Sequence, residues 1–296
     1  MTDKAVLNKL VLGTAQFDPA YGFDAEKFRL SFEDYSLNLI EQAWNLGIKK
    51  IDTAPAYGAA HQVLKKYMSA HSDHNFAVTS KLKNNDIAEI SAIREFFAIK
   101  NFSDMTVMLH RETSLDDAEM LSAIRGVSDE FDNLRWGVSI YNLEFAEKAL
   151  KIPDCDVIQI PLSIFNQDFL NTDFIERAQK KGVKVVARSI FALGHIFRPI
   201  SFFEKYPSAV KDAVMALHEF SEKTDIKLSA LACYFVVHIG KVDEIIVGIN
   251  TPSQLLDLSQ TKPLEEIDEL FSYLAQQSKN WDSSLFRPEL WGKGLI

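Results

Sequence analysis

Gly47-Ile48-Lys49-Lys50-Ile51-Asp52-Thr53-Ala54-Pro55-Ala56-Tyr57-Gly58 begins as a strand-like run and ends in a turn holding an aspartate, a tyrosine and a glycine. A helical pattern leaves the turn near Ala59. Turns at the carboxyl ends of strands are where α/β scaffolds place their chemistry. The stretch therefore poses two questions: whether strand-turn-helix repeats along the chain, and whether other strand ends supply partners for Asp52 and Tyr57.

The repeat is found in both directions. Upstream, Leu10-Val11-Leu12-Gly13 reads as a buried strand ending at Gly13-Thr14-Ala15-Gln16. Ser31-Phe32-Glu33-Asp34 has capping-box spacing, Leu37, Ile40 and Trp44 follow at helical intervals, and Gly47 supplies the stop. Downstream, strands are expected at 76–81, 105–110, 136–141, 156–160, 183–189 and 244–248. The helices between them run over 59–68, 87–98, from the cap Ser114-Leu115-Asp116-Asp117, over 143–150, through Phe174 and Ala178 to Gly182, and over 209–220 and 228–239. Thr251-Pro252-Ser253-Gln254 opens one more helix with proline at its first position. Eight such units in 296 residues are what a closed (β/α)8 TIM barrel requires. No linker or shift of composition divides the chain, so residues 1–296 are expected to form a single barrel domain with a C-terminal helix and tail. An open doubly wound sheet is the rival fold, but Gly13 stands alone where a glycine-rich dinucleotide fingerprint would lie.

A formal charge of −9 argues against nucleic acid and anionic membrane surfaces as partners, because both select clustered Lys and Arg. Cys155 and Cys233 have neither metal-ligand nor disulfide-framework spacing, and no metal site is expected. The start lacks the apolar run of a signal peptide, and the longest apolar stretch, Leu228 to Ile239, is too short to span a bilayer. A cytoplasmic globular protein is the expectation.

The second, third and fourth strands end in Asp52, Lys81 and His110, with Tyr57 in the loop past the first. Singly, Asp52 reads as a helix cap, Tyr57 as a packed ring and His110 as a satisfied histidine. Lys81 resists such a reading, since a lysine closing an apolar strand is costly to bury without a carboxylate. Neighbouring strand ends share one rim of a parallel barrel, so the four side chains converge there. A phenol titrates near ~10 in water, and an adjacent ammonium lowers that value by stabilising the phenolate. Asp, Lys and Tyr together thus make a proton donor, with His110 positioned to hold a substrate carbonyl. General acid help of this kind is worth ~10²–10⁴ in rate. A hydride, if one is needed, must come from a cofactor.

Asp52, Tyr57, Lys81 and His110, in this order and on these strands, resemble the catalytic tetrad of the aldo-keto reductases. Leu12-Gly13-Thr14-Ala15-Gln16-Phe17 looks like the family's opening strand and turn, Gly137-Val138-Ser139 like its fifth strand end, and the segment from Gly248 to Leu255 like its last cofactor segment. The likeness runs from about Leu10 to Leu258. Phe165-Asn166-Gln167 and Ala187-Arg188-Ser189-Ile190-Phe191 look most like bacterial members associated with sugar and surface-polysaccharide pathways. The resemblance implies an NAD(P)H-dependent reductase of a small, sugar-like carbonyl compound, with Tyr57 as proton donor. It implies that Gly13 and Thr14 border the cofactor and that Ser139 and Gln159 hold the nicotinamide carboxamide. Ser189 and the backbone around Leu193 and Gly194 would approach the pyrophosphate, and Asn250 and Gln254 the adenosine end. Thr251-x-x-Gln254 is equally a capping box, and the two readings are compatible.

The chain departs from the family pattern at three places. Ile140 follows Ser139 where many members carry asparagine, with Asn142 nearby as a substitute. Arg188 stands where many members stack an aromatic ring on the nicotinamide; a guanidinium also stacks flat, or anchors an anion. Leu258 replaces an adenine-binding asparagine, and no basic residue lies between Val242 and Thr261 to meet a 2′-phosphate, which leaves Arg198 as a candidate. NADPH is the cofactor the resemblance implies, and NADH the alternative these departures raise. They also raise a second reading, a nucleotide-binding regulatory subunit without useful turnover. A third reading is a cofactor-free isomerase or lyase using Lys81 and His110. The substrate pocket is expected between Asp18–Leu30, Thr113–Asp117 and the tail near Trp281 and Trp291.

Overall fold

In the computed structural model, residues 4–18, 32–99, 102–259 and 267–286 are described. Eight parallel strands close into a barrel in the order β1 to β8, with β8 pairing back onto β1. The strands are β1 (Leu10–Gly13), β2 (Lys50–Asp52), β3 (Ala77–Leu82), β4 (Asp104–Leu109), β5 (Leu134–Ser139), β6 (Val157–Pro161), β7 (Lys184–Arg188) and β8 (Glu244–Gly248). After the short α1 (Lys4–Leu7), the outer helices are α2 (Phe32–Asn45), α3 (Ala60–Ala70), α4 (Ile87–Phe97), α5 (Ala118–Asp129), α6 (Leu143–Ala149), α7 (Phe174–Lys180), α8 (Ser208–Thr224), α9 (Leu228–Tyr234), α10 (Pro252–Ser259) and α11 (Ile267–Gln277). Every strand predicted from the sequence is present. The fifth begins at Leu134 rather than Trp136, because Leu134 already pairs with Met105 of β4.

Local chemistry explains the boundaries. α2 stops as expected at Gly47, whose φ of +88° lets its N–H and that of Ile48 turn back onto the carbonyls of Trp44 and Ala43. α5 departs from the sequence reading: Ser114 lies in a 3-10 turn, and the Asp117 carboxylate caps the helix by accepting from the N–H groups of Glu119 and Met120. The expected helix 228–239 ends its α-helical part at Tyr234 and finishes in a π-helical turn over Phe235–Ile239. The long connection after β7 is built of two 3-10 segments, Ala192–Phe197 and Ile200–Lys205. Ser31, the expected cap of α2, residues 19–30 of the expected pocket wall, and Trp291 lie outside the described residues.

Alternation along the strands decides what faces the axis. Lys50, Thr79, Asp104, Thr106, Arg135 and Glu244 border one narrow interior space, and Asp52 and Gln159 border it too. The residues between them, such as Val107, Ile158 and Ile245, are buried in the layer under the helices. Ions fill the amino-terminal end of the barrel: Lys50 and Lys184 reach Glu244 at 3.1 and 2.9 Å, and Arg135 pairs with Asp104. A small apolar cluster of Met108, Val157 and Val186 stands apart from the main core. Where β5 meets β6 the backbones approach closely, and a Cβ on Gly137 would lie 2.1 Å from the carbonyl oxygen of Val157.

Candidate active site

Two-residue periodicity brings the site together. Asp52 pairs in register with Thr79, so Lys81, two residues on, has the same side of the sheet. Ser139 is in register with Gln159, and Arg188 with Pro161 at the end of β6. The carboxyl ends of β2, β3, β5, β6 and β7 thus each contribute a polar side chain to one rim.

Asp52 and Lys81 are buried, and the Lys81 ammonium donates to Asp52 Oδ1. The same Nζ donates to the Tyr57 hydroxyl oxygen at 3.2 Å. The second carboxylate oxygen of Asp52 accepts from Gln159 Nε2 at 2.7 Å, so both are satisfied. Burial works against the Lys81 ammonium, but Asp52 and Tyr57 outweigh it and its pKa is raised. The lysine is charged at any physiological pH.

Tyr57 is carried by the turn after β2. Its N–H donates to the Ala54 carbonyl at 3.0 Å, and Thr14 braces the start of the turn through its hydroxyl, which donates to the Asp52 carbonyl and lies 2.9 Å from Thr53 Oγ1. The sequence leads one to expect Lys81 to lower the phenol's pKa. The structure gives the opposite net direction: burial raises it, and the opposing fields of Lys81 and Arg188 offset only part of that rise. The phenol is held protonated beside a fixed cation, the form a proton donor needs.

His110 follows β4 and meets the Tyr57 ring edge-on, with centroids 5.6 Å apart and planes at 84°. Burial, with the nearby charges of Lys81 and Arg188, pushes its pKa down to about 3. It is a neutral imidazole, and its buried Nδ1 has no hydrogen-bond partner. Asp52, Tyr57, Lys81 and His110 are therefore one connected group.

The remaining candidates fall into two sets. Ser139 and Gln159 are buried at the rim, and both already touch protein: Ser139 Oγ accepts from Arg188 Nε at 3.0 Å, and Gln159 contacts Asp52. Gln159 Oε1 is buried without a partner. Ser189, with a positive φ of 60°, and Gly194, with φ of +86°, shape the turn after β7; Leu193 lies between them in the 3-10 segment. Gly13 ends β1 in register with Asp52 and Gly248. Gln254 closes a reciprocal cap: its Oε1 accepts from the N–H of Asn250 and Thr251 at 2.8 and 3.2 Å, while Thr251 Oγ1 accepts from the N–H of Gln254. The capping reading thus holds for its oxygen. Asn142, the suggested substitute for an asparagine at 140, caps α6 through Oδ1. Leu258 is fully buried and offers nothing polar.

Two contributors go unnoticed in the sequence. Tyr141 lies beneath Arg188, whose guanidinium carbon sits 4.0 Å from the ring centroid. Glu112, buried in the turn after β4, accepts from the N–H of Tyr141 at 2.6 Å and from the N–H and Nδ2 of Asn142 at 3.2 and 2.8 Å. A carboxylate just past the end of a strand reads in the sequence as a surface acid; only the approach of the loop after β5 gives Glu112 its donors. No group of three or more His, Cys, Asp or Glu able to hold a metal occurs among the described residues.

Comparison with known proteins identifies the family and the fold. The sequence model of the Aldo/keto reductase family matches residues 9–270, and the chain belongs to that family. No curated protein sequence matches it significantly. Among solved structures, an aldo-keto reductase from Bacillus halodurans in its holo form is similar with a TM-score of 0.67 and 19% identity, covering 91% of each chain. A thermostable aldo-keto reductase in complex with the inhibitor epalrestat gives a TM-score of 0.63 and 20% identity, covering 90% of this chain and 94% of that one. At these identities the structural likeness speaks to the fold.

Proposed function

We propose that the protein reduces the carbonyl group of a small molecule at the expense of NADPH, with Tyr57 as the proton donor. The observation that carries this reading is the continuous contact from Gln159 through Asp52 and Lys81 to the Tyr57 hydroxyl, with neutral His110 against the same ring. Asp52 keeps Lys81 charged. Lys81 in turn steadies the oxygen of Tyr57 as its proton leaves, and His110, which carries no charge of its own near neutrality, orients the substrate oxygen without competing as an acid.

The residues present fit a nicotinamide. Its carboxamide needs one acceptor and one donor, and the rim offers both: the unpartnered Oε1 of Gln159, and the hydroxyl of Ser139, whose oxygen already accepts from Arg188 and whose proton remains to be given. When bound, the cofactor supplies the hydride. Gly13, Thr14, Ser189, Leu193, Gly194, Asn250 and Gln254 are proposed to border the rest of it. Of these, Thr14 acts through the turn it braces, and Gln254 through its amide nitrogen. Arg198 is proposed to meet a 2′-phosphate. The subgroup resemblance supports a sugar-like substrate.

Tyr57→Phe tests the assignment. The variant is expected to bind NADPH with the parent affinity in a fluorescence titration and to lose at least ~10²-fold in aldehyde reduction. Turnover at the parent rate would exclude Tyr57 as the donor. Tight NADPH binding by the parent with no oxidation of it by any aldehyde or keto sugar would favour the regulatory reading, which the contacts of Arg188 on Ser139 motivate.

A further inference from the structure

Arg188 is held in place without being neutralised. Its guanidinium has five N–H donors. Three are committed: Nε to Ser139 Oγ at 3.0 Å, Nη2 to the Ile140 carbonyl at 2.9 Å, and Nη1, more weakly, to Ser189 Oγ at 3.4 Å. The Tyr141 ring under one face fixes the plane. All three acceptors are neutral, and no carboxylate among the described residues pairs with the half-buried guanidinium. Glu112, an acid in the same loop cluster, spends its oxygens on the N–H of Tyr141 and the N–H and Nδ2 of Asn142. One N–H on each of Nη1 and Nη2 is left over, two donors for an anion to accept.

The surrounding charges add to its need for a counter-ion. Lys81 is neutralised by Asp52 and neutral His110 adds nothing, while the other charges felt at His110, those of Arg188, Lys83 and Arg111, are all positive. A cation half withdrawn from water is costly unless an anion meets it. Its bond to Ser139 and its register with Pro161, two residues past Gln159, put the guanidinium on the same rim as the Asp52 and Lys81 pair.

We propose that Arg188 is a specificity-determining residue that binds the carboxylate of the substrate, so that the preferred substrates are carbonyl compounds carrying a carboxylate. This rests on the carbonyl-reductase reading and narrows its substrate class. A planar carboxylate matches the two remaining N–H groups better than a neutral hydroxyl, which would leave the charge unmet.

The test is reduction by the wild-type protein, with NADPH, of glyoxylate, succinate semialdehyde and 4-carboxybenzaldehyde, each beside its methyl ester. The ester keeps the carbonyl and removes the charge. At least one acid is expected to exceed its ester in kcat/KM by about 10- to 100-fold, the worth of a charge-assisted contact. Arg188→Gln is expected to bring that ratio to about one, and Arg188→Lys to keep part of it. If every ester is reduced as well as its acid, the proposal fails while the reductase reading stands. The proposal also fails if Arg188→Gln lowers acid and ester alike, because the guanidinium then serves the cofactor, whose phosphates are the other anions at hand. Absence of turnover with acids, esters and neutral aldehydes together overturns both readings. The acid-to-ester ratio of the wild-type protein keeps the question decidable even if a variant does not fold.

Discussion

Gln159 Nε2 donates to Asp52 Oδ2 at 2.7 Å across 107 positions of sequence, so the carboxylate that holds Lys81 is itself held from the far side of the barrel. One amide thereby links the residue expected to grip a cofactor to the residue that tunes the proton donor. Removing it should disturb both. Gln159→Leu leaves one Asp52 oxygen buried and unpaired, and is expected to lower stability by about 1–3 kcal/mol in urea denaturation. It should also weaken NADPH binding; unchanged values of both quantities would show that the contact is incidental.

The Asp52 and Lys81 pair is expected to behave as a unit. Asp52→Asn strands a buried ammonium, and Lys81→Met strands a buried carboxylate, each at a cost of about 3–5 kcal/mol. The double variant should be less destabilised than the sum of the two, because neither charge is then left alone. Additive losses in a double-mutant cycle would mean the pair contributes no coupling.

Buried His61 and half-buried His110 make stability fall on the acid side. His61 stacks on Phe96 with its centroid 4.3 Å away and is 3.0 Å from Ser80 Oγ, and burial pushes its pKa, like that of His110, down to about 3. In the unfolded chain both titrate near ~6.5, so between those values the unfolded state binds more protons and stability rises with pH. Lowering the pH from 7 to about 4.5 should therefore cost on the order of 2 kcal/mol per histidine. Denaturation curves of His61→Asn and His110→Asn should each show a shallower pH dependence than the parent, and an unchanged slope would contradict the neutral assignments.

Glu112 is expected to act through the loop it gathers. Glu112→Ala removes three acceptor contacts at once and should cost about 1–3 kcal/mol. Because Tyr141 supports Arg188, the same change should lower kcat/KM for a carboxylate substrate more than it lowers NADPH affinity. Equal losses in the two would place its role in the fold alone.

Gly137→Ala is expected to destabilise strongly, since the new methyl would lie 2.1 Å from a β6 carbonyl oxygen that cannot move without breaking the ladder. A midpoint of thermal unfolding equal to the parent's would show that β5 and β6 can separate more easily than their register suggests.

Much of this protein is written locally. The alternation of strands and helices determined the barrel, and the period of two along each strand put Asp52, Lys81, Ser139, Gln159 and Arg188 at strand ends on one rim. Even the cap at Thr251 and Gln254 was legible, because its partners are three residues apart. What only the tertiary structure decided is whom each side chain meets. Closure of the barrel brings Gln159 to Asp52, lays Arg188 on Tyr141 and Ser139, and gives Glu112 its donors from a loop 29 and 30 positions away. Closure also draws Tyr57 partly out of water, and that loss, which no spacing of residues encodes, turns the expected lowering of its pKa into a rise. Strand parity is a property of the backbone and can be counted along the chain; burial and partnership are properties of the closed barrel and arise only when distant strands come together.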